Sequence, residues 1–436
     1  MQPKLYIAEK PSQANDIARV LGITKRGQGY LELEGGSVMT WAIGHVLRQA
    51  EPKEYSEAWA GSWNWSQLPM IPAEWKMVVD EDKKSQFKVI KELLKKFNHV
   101  VIATDAGREG ELIGRELLEY CKFKGTVERF WVSTLVASDI KKALQNLKPG
   151  KVTEPLYEAA VARSHADFVW GYTLSRAATL AANTRESFPV GRVQTPVLAM
   201  VVAKDELVEK FEKRTYYELE AQVKSAGGQT FTMTHAPEES KRIYERAAAV
   251  KLQQQANAAS GPLSVESKPG KESPPLPFNL STLQREANKA FGFSADKTLK
   301  VAQALYDKKA MSYPRTDCSY YGESQKGEVE ATLRAVAKTF EAAVGILRTN
   351  GIEMRTSVFD DSKLSDHHAI APTTQPVDLI GDELKLFTLV AQRYLQVLSK
   401  DLKFQGTRVT MDANGVPFVA TGRVVNFVGW KAIKLL

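Results

Sequence analysis

A chain of 436 residues is longer than one hydrophobic core usually serves, and at roughly 150 residues per domain it should fold as two to four domains. With 43% hydrophobic and 25% charged residues, and no apolar run near the roughly 18 residues that span a bilayer, the sequence reads as neither membrane-bound nor disordered. The formal charge of +8 favours a polyanionic partner, since lysine and arginine displace counterions from nucleic-acid phosphates, but composition alone leaves that open.

The opening stretch MQPKLYIAEKPSQ carries Lys4, Glu9 and Lys10. These charges interrupt a secretory hydrophobic segment before it can form, so a cytoplasmic protein is expected. Cys121 and Cys318 are the only cysteines, too few for a disulfide framework or a four-cysteine zinc module. Residues 1–150 alternate short apolar runs with amphipathic ones: KLYIA, PSQANDIARVLG, VMTWAIG, SQFKVIKELLKKF, HVVIATD, GELIGRELLEYC and VERFWVS. That is the rhythm of an α/β domain with a largely parallel sheet. Pro11 should open a helix and Gly22 close it. Residues 151–213 keep helical spacing with no strand-like alternation. Alternation returns in TYYELEAQV, whereas GPLSVESKPGKESPPLP, rich in Pro, Gly and Ser, reads as a connection. The stretch 278–390 is expected to be helical around one irregular segment, SYPRTDCSYYG. TRVTMDANGVPFVATG then reads as a hairpin whose Asn414-Gly415 pair suits a type I′ turn. Strands within 216–223 and 407–433 would share one sheet.

In an α/β sheet, ligands bind beyond the carboxyl ends of the strands. Two such ends deliver acids here: KLYIA runs into Glu9 and Lys10, and HVVIAT runs into Asp105, with Glu109 at the start of the next helix. If the strands are neighbours, the three carboxylates converge into an oxygen set that suits Mg²⁺. Taken singly, each acid is more simply a helix cap; together, with Lys10 and Arg108 mixed in, they favour a site. Tyr313 is one of fourteen tyrosines, most of which must be packing residues with a polar tip. A phenol titrates at about pH 10 and attacks phosphorus only if nearby positive charge stabilises the phenolate. Arg315, two residues on, would do this and would clamp a phosphate. From these residues alone, a loop tyrosine packing on a helix stays the favoured reading of Tyr313 over a nucleophile.

Six segments weigh on that choice: IAEKPS at 7–12, TDAGREGE at 104–111, PVGRVQTPVL at 189–198, PFNLSTLQREANKAFGFSADKTL at 277–299, SYPRTD at 312–317 and DHHAIAPT at 366–373. In this order they resemble the signatures of type IA DNA topoisomerases, particularly those of the bacterial topoisomerase III branch, and they cover nearly the whole chain. The resemblance implies a multidomain toroid of α/β and α parts. A Toprim-like α/β domain would fill 1–150 and the first segment of a helical gate-base domain 151–213. A β-rich arch would fill 214–277 and 391–436, and a helical domain carrying the nucleophile 278–390.

The resemblance also implies roles. Tyr313 would attack the backbone and Arg315 stabilise the transition state. Glu9 would move the proton at the sugar oxygen and share in the metal set, and Lys10 would hold the scissile phosphate. Asp105 and Glu109 would bind Mg²⁺, and His367 would contact the phosphate or tune the tyrosine. Arg192, Gln194, Arg163 and Asp167 would contact the single strand or support the gate, the alternative being a structural Arg163–Asp167 ion pair. Trp170 and Phe188 are candidates for stacking on bases. The implied activity is ATP-independent breakage, passage and rejoining of single-stranded or underwound DNA through a 5′-phosphotyrosine link, by a monomer associated with nucleoid or plasmid. RNA stays open as a further substrate. Consistently, the sequence contains no GxxxxGK[ST] loop.

Two departures stand out. Gly107 replaces the second aspartate of the family's TDxD run, leaving Glu111, read here as a surface residue, as a substitute. The chain also stops at GWKAIKLL, inside what resembles the returning sheet, so a C-terminally truncated chain is expected, with strand passage impaired before cleavage. The rival readings are a Toprim nuclease or primase, which would have no use for Tyr313, and a truncated single-stranded nucleic-acid-binding module.

Overall fold

The first apolar run forms β1 (Leu5–Ala8), the middle of a seven-stranded sheet, in a computed structural model that describes residues 2–435 except 133, 134, 136, 185, 238–241, 365 and 366. After β1 come α1 (Pro11–Leu21), β2 (Ile23–Gly27), β3 (Tyr30–Leu33), β4 (Val38–Trp41), β5 (Leu47–Gln49), α2 (Pro52–Tyr55) and β6 (Met77–Val79). The chain continues through α3 (Lys84–Leu94), β7 (His99–Ala103), α4 (Arg108–Tyr120), β8 (Thr126–Arg129), α5 (Ala137–Gln145) and β9 (Lys148–Pro149). Two long helices follow, α6 (Glu154–Ala182) and α7 (Gln194–Glu209). Then come β10 (Glu220–Lys224), β11 (Thr230–His235), α8 (Arg246–Ala256) and β12 (Ser264–Glu272). The last elements are α9 (Leu280–Phe291), α10 (Ala295–Asp307), α11 (Val329–Asn350), α12 (Gly381–Val397), β13 (Leu402–Ala413) and β14 (Val416–Phe427).

These residues fall into two units, the first made of 1–202, 277–339 and 356–391, the second of 203–276, 340–355 and 392–436. In the first unit the strand order is β2-β3-β4-β1-β7-β8-β9. The four central strands are parallel, while at the margins the β2–β3, β3–β4 and β8–β9 pairs are antiparallel. Alternate residues of β1 and β7 feed two cores. Leu5, Ile7, Val100 and Ile102 pack with Phe87, Ile90, Ile113 and Leu117 of α3 and α4. Tyr6, Ala8, Val101 and Ala103 pack with Ala14, Ile17 and Ile140 of α1 and α5. Burial on both faces explains why these strands read as continuous apolar runs. Pro11 opens α1 and Gly22 ends it, as expected. In the same unit Lys309 reaches Asp16 at 2.7 Å and Lys142 reaches Glu328 at 2.8 Å, tying the 277–339 segment to α1 and α5.

The second unit is built on a five-stranded antiparallel sheet, β10-β11-β14-β13-β12. Leu219, Met233, Met411, Val416 and Phe418 form its core with Ala249 of α8. The β13–β14 turn places Asn414 and Gly415 at φ 57° and 84°, the pair of positive values a type I′ turn requires. One expectation fails here. The Pro- and Gly-rich stretch read as a connection contains β12, which pairs with β13 over nine residues. An edge strand accepts Pro269 and Gly270 because one side of its backbone needs no partner, so composition hid a strand.

Candidate active site

β1 and β7 are adjacent and parallel, with Ala8 opposite Ala103, so the acids that follow them meet. The Asp105 backbone N–H faces the Glu9 carboxylate at 3.4 Å. Gln13, in the first turn of α1, bridges the two loops. Its Nε2 donates to Asp105 Oδ1 at 3.0 Å, and its Oε1 accepts from the Glu9 N–H at 3.0 Å. Neither acid caps a helix: the cap positions of α1 and α4 belong to Lys10 and Gly107, without side-chain cap bonds. Burial, and then the neighbouring Asp105 carboxylate, push Glu9 above its ordinary range, against the pull of Lys10. Burial likewise pushes Asp105 up, offset by Lys10, Arg129 and Arg315.

Tyr313 lies between α10 and α11 on an irregular segment held by a bridge from Met311 to Pro372 and by the Ser312 N–H donating to the Ala371 carbonyl at 2.9 Å. Its ring centroid is 4.6 Å from that of His367 and 5.3 Å from that of Tyr306, the latter edge-on. Burial, followed by the Asp105 charge, pushes the phenol up to about 12, while Arg315 opposes both by its charge and by a hydrogen bond. Arg315 is itself steadied by Gln303 Oε1 at 2.7 Å. His367 is driven down to about 4, chiefly by burial, so its ring is neutral at neutral pH, and it bonds to the Ala106 backbone. Glu9, Lys10, Asp105, Tyr313 and Arg315 are thus linked electrostatically across some three hundred residues of sequence, and His367 joins them through its ring contact with Tyr313.

Other candidates lie elsewhere. Glu109 begins α4 but is engaged by Arg163 and by His45, whose Nε2 is 3.4 Å from a Glu109 oxygen. Among the described residues no three His, Cys, Asp or Glu side chains are grouped to hold a metal ion. Asp167 pairs with Arg192 at 2.8 and 3.2 Å. The Arg163–Asp167 pair weighed from the sequence is therefore replaced by two others. Gln194 opens α7, Trp170 and Phe188 are exposed, and the Asp366 of DHHAIAPT lies outside the described residues.

Beneath the acids is a feature the sequence reading missed. Glu111, read as a surface residue, is fully buried, as is Arg129 at the end of β8. Arg129 Nε donates to Glu111 at 2.7 Å, and its remaining donors reach the carbonyls of Ile102, Thr104, Asp105 and Phe130. Arg115 and Thr153 complete the Glu111 shell at 2.8 and 2.7 Å. The guanidinium braces the backbone that presents Asp105. A Cβ at position 110 would overlap the Asp105 carbonyl oxygen, so only glycine lets α4 start this close. Gly107, at φ 155°, occupies backbone space other residues rarely enter, with His367 Nε2 3.9 Å from where its Cβ would be. Gln13 and Arg129 left only faint signals: a glutamine four residues after an acid, and an arginine at the end of an apolar strand.

The sheet's carboxyl edge thus carries paired acids beside a tyrosine flanked by arginine and histidine. Residues 4–135 match the family described as Toprim domain, and residues 151–435 match the family described as DNA topoisomerase. The chain belongs to the DNA topoisomerase family, in its type IA division. DNA topoisomerase 3 of Bacillus subtilis (strain 168) is 36% identical over 441 residues, and that of Shouchella clausii (strain KSM-K16) is 38% identical over 440. Each alignment covers 99% of this chain and 60% of the relative, so the chain spans about three-fifths of their length. The full-length topoisomerase I of Thermotoga maritima shares the fold, with a TM-score of 0.68 at 22% identity over 98% of this chain and 67% of that one.

Proposed function

We propose that this chain breaks and rejoins single DNA strands by transesterification at Tyr313. The observation that supports this most is the meeting of a buried tyrosine, flanked by Arg315 and His367, with the Glu9–Asp105 pair from a distant stretch of sequence. As the Tyr313 oxygen bonds to phosphorus, the bond from phosphorus to the sugar 3′ oxygen breaks. The phenol proton leaves to solvent and Glu9, kept protonatable by burial beside Asp105, supplies a proton to the departing oxygen. Resealing is the reverse, and the phosphotyrosine bond conserves the energy, so no ATP is needed. Arg315 lowers the cost of the phenolate and of charge on the phosphoryl oxygens. Lys10 offers a second cation to the phosphate, and neutral His367 a hydrogen bond.

Two carboxylates raised chiefly by burial, Glu9 also by the Asp105 charge, fit the hard oxygen donors that Mg²⁺ shares with phosphate. Glu9 and Asp105 would hold it, and when bound it would neutralise charge on the phosphate. Glu109 would join only after leaving its present partners. We extend the reading to passage of a second strand, which relaxes or decatenates DNA, in a cytoplasmic setting; Arg192, Gln194, Trp170 and Phe188 would line the strand's path. A nuclease or primase reading leaves Tyr313 without a task. Incubation with a 3′-labelled single-stranded oligonucleotide, followed by a denaturing gel, tests the proposal. Label should travel with the protein, vanish in Tyr313→Phe and persist in Tyr320→Phe. An adduct surviving in Tyr313→Phe would overturn it.

A further inference from the structure

Glu109 stands in the first turn of α4, half-exposed, yet each of its carboxylate oxygens is taken. One pairs with Arg163, which α6 presents, and the other faces His45 Nε2 at 3.4 Å. His45 is fixed in turn. Its Nδ1 is 3.7 Å from Glu116, its carbonyl accepts from Lys83 at 2.7 Å, and it follows Ile43 and Gly44, both at positive φ, 65° and 68°. A β-branched residue in that region is strained. The turn nevertheless persists, and the Gly44 N–H donates to the Glu9 carbonyl at 3.1 Å, tying it to the acid loop itself.

We propose that Arg163 and His45 form a latch that withholds Glu109 from the Glu9–Asp105 pair, and that a DNA phosphate arriving at Arg163 releases it. The proposal rests on the Mg²⁺ assignment made above for Glu9 and Asp105. A guanidinium fork fits a carboxylate and a phosphate equally well and cannot serve both with the same donors. Phosphate therefore competes with Glu109 for Arg163, and the freed carboxylate raises the oxygen-donor count beside Asp105. Because linkage is reciprocal, the strand tightens the cation and the cation tightens the strand. Arg163 and His45 are positioning residues here. The metal set assembles only where there is a strand to cut.

The test uses Mn²⁺ as the probe, its free concentration read by electron paramagnetic resonance, with the Tyr313→Phe chain so that nothing is cleaved. A short oligothymidylate, corrected for the Mn²⁺ it binds alone, should tighten the protein's Mn²⁺ affinity about tenfold. Arg163→Gln should produce a comparable gain without DNA and shrink the oligonucleotide's effect to what the phosphate itself contributes as a ligand. His45→Ala, a second route to the same release, should give a smaller gain and decides the matter if Arg163→Gln fails to fold. Unchanged or weaker DNA-free affinity in the folded variant overturns the latch, as does an oligonucleotide effect that is undiminished in it. Glu9→Gln combined with Asp105→Asn separates the two readings. Mn²⁺ binding that persists there contradicts the metal assignment itself, whereas binding lost there but indifferent to Arg163 contradicts the latch alone.

Discussion

The two sheets of this protein handle burial in opposite ways. All of β1 and four of the five residues of β7 are buried, with helices on both faces. In the five-stranded sheet β12 has no buried residue, and β14 is buried only near its start. Glu9 and Asp105, the acids proposed to react, follow the closed strands, where backbone position is overdetermined by packing and by Arg129. The open sheet carries none of the chemistry proposed here. Rigid support therefore goes where two carboxylates must be held against their own repulsion.

The largest effect should come from breaking that support. Arg129→Ala leaves Glu111 charged, buried and without its main partner, a loss of about 3–5 kcal/mol. The double change Arg129→Met with Glu111→Leu should recover most of that loss in urea unfolding while still impairing DNA cleavage, because the carbonyls behind Asp105 lose their donors. Ile102→Ala, in the core beneath β7, should cost about 2–5 kcal/mol, whereas Val265→Ala on exposed β12 should stay within about 0.5 kcal/mol. Similar costs at Ile102 and Val265 would break the comparison.

A smaller, pH-dependent effect sharpens it. With the Tyr313 phenol at about 12, the phenolate is the minor form throughout the working range, and its fraction rises about tenfold per pH unit. On an oligonucleotide with a 3′-bridging sulfur, whose thiolate leaves without the Glu9 proton, adduct formation should climb from mildly acidic to mildly alkaline pH. Arg315→Ala removes the charge that opposes the upward shift, so its profile should lie lower and keep climbing to higher pH. A flat profile for the unaltered chain on that sulfur-bridged substrate would argue against phenolate attack.

The same contrast separates what the sequence disclosed from what it hid. Continuous apolar runs in KLYIA and HVVIA identified strands buried on both faces, and their ends located Glu9 and Asp105. The Asn414-Gly415 turn was equally plain, because few residue pairs tolerate two positive φ values. β12 escaped because an edge strand need not obey the composition rules of a central one. Glu111 and Arg129 escaped because burial of a charged pair depends on both partners, eighteen residues apart and individually ordinary. The partner exchange among Glu109, Arg163, Asp167 and Arg192 follows from how α4 packs on α6 and how the connection after α6 brings Arg192 back to it, which spacing along the chain does not encode.

The central claim is that Tyr313, among fourteen tyrosines, carries the DNA. The most direct measurement is mass spectrometry of the trapped adduct after nuclease trimming and trypsin digestion. The account predicts residual nucleotide on the peptide 310–315, attached through Tyr313. Nucleotide on a peptide containing Tyr320 and Tyr321, or on Tyr306, would contradict it.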